Sequence, residues 1–186
     1  MNRGGNHRNI FLDKSDYEYF LELLKHSKEK YPYELHAYCL MTNHYHLLIE
    51  TKDKEIWHIM KRIDQFYTEY FNSKYRQDGS LFRGRYKGCE VKDDSHFLQV
   101  SRYIVLNPVK AGMVNVADQY KWSSFNTMLG SCDDKITAIH KTLMFFKDES
   151  KCRQLYKEFI TSGHDNIENE NKLRKEIGEE EEWLPW

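Results

Sequence analysis

Between residues 16 and 30 the apolar positions Tyr19, Phe20, Leu23 and Leu24 recur at three- and four-residue spacing, which predicts an amphipathic helix. Ser15 reads as its N-cap, with Glu18 three residues on completing a capping box, and Tyr31-Pro32 ends it. Residues 34–41 then read as a strand. A tight turn at Thr42-Asn43 leads into a second strand over 43–50, so the two form a hairpin. Helical spacing returns over 54–76 through Ile56, Ile59, Met60, Ile63, Phe66, Tyr67, Tyr70 and Phe71, and Asp78-Gly79 closes it. Residues 88–92 read as a strand. Asp94 or Ser95 caps a helix over 96–107, which Pro108 is expected to stop. One or two further helices are expected between 137 and 162.

The order helix, strand, strand, helix, strand, helix becomes a βαββαβ arrangement if one strand is added in front. The expected fold is therefore α+β, a ferredoxin-like antiparallel sheet with helices on one face and additional C-terminal helices. In this pattern the first strand is missing or truncated, because Met1 to Asn9 reads as a Gly/Asn/Arg loop. Three units are expected: a body over 1–130, a helical extension over 131–164, and an acidic tail over 165–186.

The net charge of −1 over 186 residues hides an asymmetry. From residue 165 onward there are eight acidic and three basic residues, a charge of −5, which leaves +4 for the rest of the chain. A mildly basic body with an acidic tail permits nucleic-acid binding without requiring it. The four cysteines are far apart with no Cys-x-x-Cys pair, which argues against a zinc ribbon or a disulfide framework and fits a reducing cytoplasm. No apolar run reaches the roughly 20 residues of a membrane span, and the polar, basic start is not a signal peptide.

The chemistry concentrates in Asn43-His44-Tyr45-His46-Leu47-Leu48. Strand side chains alternate, so His44 and His46 share one face while Tyr45 and Leu47 point to the other. Two imidazoles side by side on a strand make half of a divalent-metal site. His36, alone on the preceding strand, reads as structural. On the helix over 96–107, Gln99, Tyr103 and Asn107 fall at i, i+4 and i+8, on one face. The run Arg83-Gly84-Arg85-Tyr86-Lys87-Gly88 has the composition of a phosphate clamp with a stacking ring, or equally of a charged sheet edge.

These stretches, in this order, carry a resemblance. Arg3-Gly4-Gly5-Asn6, Met41-Thr42-Asn43-His44-Tyr45-His46, Phe82-Arg83-Gly84-Arg85-Tyr86, Arg102-Tyr103-Ile104-Val105-Leu106-Asn107-Pro108 and Trp122-Ser123-Ser124-Phe125 together resemble the REP-associated tyrosine transposases. These belong to the HUH single-strand nucleases, named for histidine, hydrophobic, histidine. The likeness covers about two thirds of the chain, with Thr42 where the family usually has proline. It implies a metal-dependent endonuclease and strand transferase that forms a 5′-phosphotyrosine link to single-stranded, hairpin-bearing DNA. Tyr103 matches the nucleophile; His44, His46 and Asn107 match the ligands of a divalent metal, Mg²⁺ or Mn²⁺. Arg3, Arg8, Arg83, Arg85, Tyr86 and Lys87 are the expected DNA contacts. A cytoplasmic monomer is expected over a homodimer. Two other readings stay open: an inactive single-strand-binding remnant, and a zinc hydrolase with His36 or His96 as third ligand.

Overall fold

The fold is given by a computed structural model that describes residues 1–162 and 167–177. Its centre is a three-stranded antiparallel sheet of β1 (Asn2–Arg3), β2 (Tyr33–Leu40) and β3 (His44–Thr51), in the order β1-β3-β2. β2 and β3 form the predicted hairpin, with a bulge between Leu35 and Ala37. The first strand is present as a two-residue element, pairing Asn2 with Tyr45 and Arg3 with His44.

Helices α1 (Lys14–Lys30) and α2 (Ile56–Tyr75) pack on one face, where Phe20, Leu24, Ile59, Ile63 and Tyr67 meet Leu35, Tyr38, Leu40 and Tyr45. Helix α3 (Asp94–Lys110) packs on the other, where Phe97, Val100, Tyr103 and Ile104 meet Ala37, Cys39, Met41 and Leu48. The sheet is thus a middle layer, which corrects the expectation of helices on one face. The physical reason lies in β2: seven of its eight residues are buried, and a strand apolar on both sides needs cover on both. A third cluster joins Val105 and Leu106 of α3 to Phe125 and Met128 of α4 (Phe125–Leu129) and to Tyr156 and Ile160 of α6 (Cys152–Ser162). Helix α5 (Ile139–Met144) completes the pair expected between 137 and 162.

Four local expectations are corrected. The N-cap of α1 is Asp13 rather than Ser15: its carboxylate accepts from the backbone of Ser15 and Asp16, and Asp16 reciprocates, a capping box built from two charged acceptors. Pro108 does not stop α3. It lies in the last turn, where the lost N–H costs one bond, and the helix runs on to Lys110, closed by Gly112 (φ +66°) with Met113 N–H on the Pro108 carbonyl at 2.9 Å. Residues 88–92 form no strand. The chain just before them lies along the outer edge of β1, through Arg83 N–H to Arg3 O and Lys87 N–H to Met1 O, both 2.9 Å; two residues of β1 are too few for a longer ladder. Within the expected frayed tail, α7 (Ile167–Ile177) is helical, with Leu173 buried in the α3 cluster and Glu176 2.8 Å from Lys92. Residues 165–166 and 178–186 of that tail lie outside the described residues.

Candidate functional site

The turn before β3 is held from the N-terminal segment. Gly4 N–H donates to Asn43 O at 2.9 Å, and Ile10 and Phe11 N–H both donate to Thr42 O. A Cβ on Gly4 would stand 2.1 Å from the Arg8 carbonyl, so only glycine allows this approach. β3 then presents His44 and His46 on the α3 face, their ring centroids 5.0 Å apart and their planes perpendicular. Tyr103 comes up from α3, edge to face with His46 at 5.6 Å. Tyr103 is 3% exposed and His46 2%.

The histidines suit cation binding. His44 Nδ1 lies 2.6 Å from Asn43 Oδ1. An amide oxygen only accepts, so Nδ1 carries a proton, and in the neutral ring the lone pair is on Nε2. Burial, helped by the charges of the N-terminus and Arg174, pushes His46 down to about 3 and keeps it neutral at physiological pH. Asn107, one turn past Tyr103, donates its Nδ2 to the Tyr103 carbonyl at 2.8 Å, so the amide oxygen is its remaining ligand atom. Imidazole nitrogens and an amide oxygen are donor types that suit a divalent cation of intermediate hardness. Lys110, a further turn along, holds its ammonium 5.2 Å from the Tyr103 ring centroid.

Arg3 joins this group through register. It pairs directly with His44, and cross-strand partners project from the same face. Arg83 and Arg85 are exposed on the run beside β1, and Lys87 is exposed with its backbone on Met1. Tyr86 is partly buried against the α1/α2 core. Arg8 has another task. Its guanidinium donates to Leu81 O at 3.0 Å, to Ser80 O and to Gln77 Oε1, which fastens the loop after α2. A cavity of about 680 Å³ begins at His46 and follows β3 to Thr51, bordered by residues 86–94 and by Lys87, Lys92 and Lys141.

His36 is structural, as expected: Nε2 meets Glu50 Oε2 at 2.9 Å and the ring stands edge-on to Phe97. Among the described residues no three His, Cys, Asp or Glu side chains converge, so a third histidine from His36 or His96 does not complete a zinc site. Asn43 was read only as a turn residue, and Lys110 was not singled out. Its signal was its place seven residues after Tyr103, two turns along the same face.

The chain is similar to known proteins in sequence and in fold. The profile of the family described as "Transposase IS200 like" matches residues 4–107. A Haemophilus influenzae protein named as a REP-associated tyrosine transposase is 30% identical over 120 residues, covering 58% of this chain and 67% of that protein. A solved structure described as a REP-associated tyrosine transposase bound to a REP hairpin superposes with a TM-score of 0.61 at 17% identity, over 69% of this chain and 75% of the other.

Proposed function

The chain belongs to the IS200-like transposase family, among the REP-associated tyrosine transposases, and on that premise we propose that it cuts and rejoins single-stranded DNA through Tyr103. The observation that carries this reading is the contact of the Tyr103 ring with His46, 5.6 Å between centroids, on the face that also bears His44. The phenol oxygen attacks a backbone phosphorus, and the bond from phosphorus to the 3′ oxygen breaks. The phenol proton passes to solvent, the 3′ oxygen is protonated, and the 5′ phosphate stays on the tyrosine. A free phenol has a pKa near 10 and is a weak nucleophile at neutral pH. His44, His46 and Asn107 would hold a divalent cation, Mg²⁺ or Mn²⁺, which when bound supplies Lewis-acid polarisation of the phosphate. Arg3 meets the same phosphate, while Arg83, Arg85 and Lys87 bind the backbone on either side and Tyr86 offers a ring edge. The relative solved with a REP hairpin supports a hairpin-bearing substrate. No helix among the described residues is long and apolar enough to cross a membrane. The protein acts on DNA in the cytoplasm, as a monomer.

Incubation with labelled hairpin-bearing oligonucleotides and Mn²⁺, followed by a denaturing gel, tests the proposal. The expected result is a covalent protein–DNA band that His44→Ala eliminates. A folded protein that binds the panel yet gives no band would overturn cleavage and leave strand binding as the function.

Asn43→Ala removes the acceptor that selects the His44 tautomer. Outer partners of ligating histidines typically contribute a factor of about 10–100 in metal affinity. We expect Mn²⁺ binding, read by calorimetry without DNA, to weaken by that factor while the thermal midpoint barely moves. An unchanged affinity would mean that Asn43 only shapes the turn.

A further inference from the structure

The element that brings Arg3 beside His44 is two residues long, and two ladder pairs specify a register weakly. A slip of one residue would send Arg3 to the opposite face of the sheet and Asn2 to the histidine side. Something outside the ladder must therefore choose between these arrangements.

On the α1/α2 face, one carboxylate holds both members of the pair Asn2 and Tyr45. Asp64 of α2 accepts the Tyr45 hydroxyl on Oδ1 at 2.5 Å and the Asn2 amide on Oδ2 at 2.8 Å. Asn2 also donates to Gly84 O at 3.2 Å, while its own Oδ1 receives the Arg3 N–H at 2.9 Å. Tyr45 is wholly buried and stands between the two histidines in sequence. Asp64 thus grips, from beneath the sheet, the cross-strand pair adjacent to Arg3 and His44. We infer that Asp64 is a positioning residue that locks the register of β1 on β3 and so keeps Arg3 on the histidine face.

The alternative, a carboxylate that serves general stability, fits less well. Burial pushes Asp64 up to about 6 despite both hydrogen bonds, so holding its charge there costs stability. Both donors on the carboxylate belong to the two paired strands.

Asp64→Asn tests this, because it keeps the volume but turns a donor toward Asn2 or Tyr45. The first readout is amide hydrogen exchange, which needs no DNA. Exchange at Gly4, bonded to Asn43, and at Arg83, bonded to Arg3, should accelerate at least about tenfold while the β2–β3 ladder stays protected. Equal acceleration in both regions, or none in either, overturns the inference. The second readout rests on the function proposed above. In the wild-type protein Arg3→Ala should flatten the salt dependence of oligonucleotide binding by about one unit of slope, and in the Asp64→Asn background it should change nothing further. Additive effects would overturn the link to Arg3. Wild-type binding that ignores salt would instead reject the DNA reading and leave the exchange result to judge Asp64.

Discussion

Tyr103→Phe should abolish the covalent adduct and reduce strand cleavage by at least about 10³-fold while leaving oligonucleotide affinity within about twofold. The substitution removes one oxygen and keeps the ring, so the contacts with His46 and with the cluster around α3 survive. A matched pair of assays checks it: the denaturing gel for the adduct, and anisotropy at fixed salt for binding. Other tyrosines are poor substitutes. Tyr45 lies on the opposite face, fully buried, and its phenol is pushed well up by burial and by Asp64. Tyr86, on the basic run, is also raised by burial. An adduct that persists in Tyr103→Phe would contradict the assignment, and peptide mapping of the linked residue would name the real nucleophile.

The largest expected stability effect lies far from the site. Lys74 near the end of α2 donates to both oxygens of Asp13 at 2.8 Å and to Asp16 at 2.7 Å, with Ser15 and Tyr70 also in reach. Asp16 is wholly buried. Lys74→Met leaves that carboxylate without its cation, and breaking such a pair typically costs about 3 kcal/mol or more. For a chain of this size that lowers the thermal midpoint by about 10 °C. Burial alone would raise Asp16, but Lys74, the Leu12 amide and the Tyr75 hydroxyl outweigh it, and the net shift is downward. A carboxylate depressed in the folded state stabilises above its unfolded value, near 4, and that stability is lost as pH falls below it. Urea melts should therefore show the wild type weakening from pH 5 to pH 3 and the gap to Lys74→Met narrowing over the same interval. A constant gap would mean that the lysine acts through packing alone.

Strict alternation made the histidine strand legible, and helical spacing did the same for α2 and α3, because each pattern is local. What escaped was set by distant partners. The near-continuous apolar run of β2 means burial on two faces, but that is visible only once α3 is known to cross behind it. Ser15 and Asp13 are both good caps in isolation; Lys74, some sixty residues away, favours the aspartate. Arg8 has the composition of a phosphate contact, yet three nearby acceptors on the loop after α2 claim its donors. Leu173 anchors α7 in the α3 cluster, but in the sequence one leucine does not stand out against the acidic residues around it.

Helix α3 is gripped from two sides. Phe97, Val100, Tyr103 and Ile104 are seated on the sheet, and Val105 and Leu106 are seated among α4 and α6. Native proteins open piecewise, and segments enclosed by two cores open last, at close to the free energy of global unfolding. Tyr103 is thus mounted on a helix enclosed by two clusters. Leu81 and Phe82 seat the start of the stretch between α2 and α3 in the α1/α2 core, but residues 83–93 are largely exposed and tied by backbone bonds to a two-residue strand, so they can open at lower free energy. Any rearrangement needed to thread a strand past the nearly buried phenol of Tyr103 would be borne there, by the compliant wall of the cleft and not by α3.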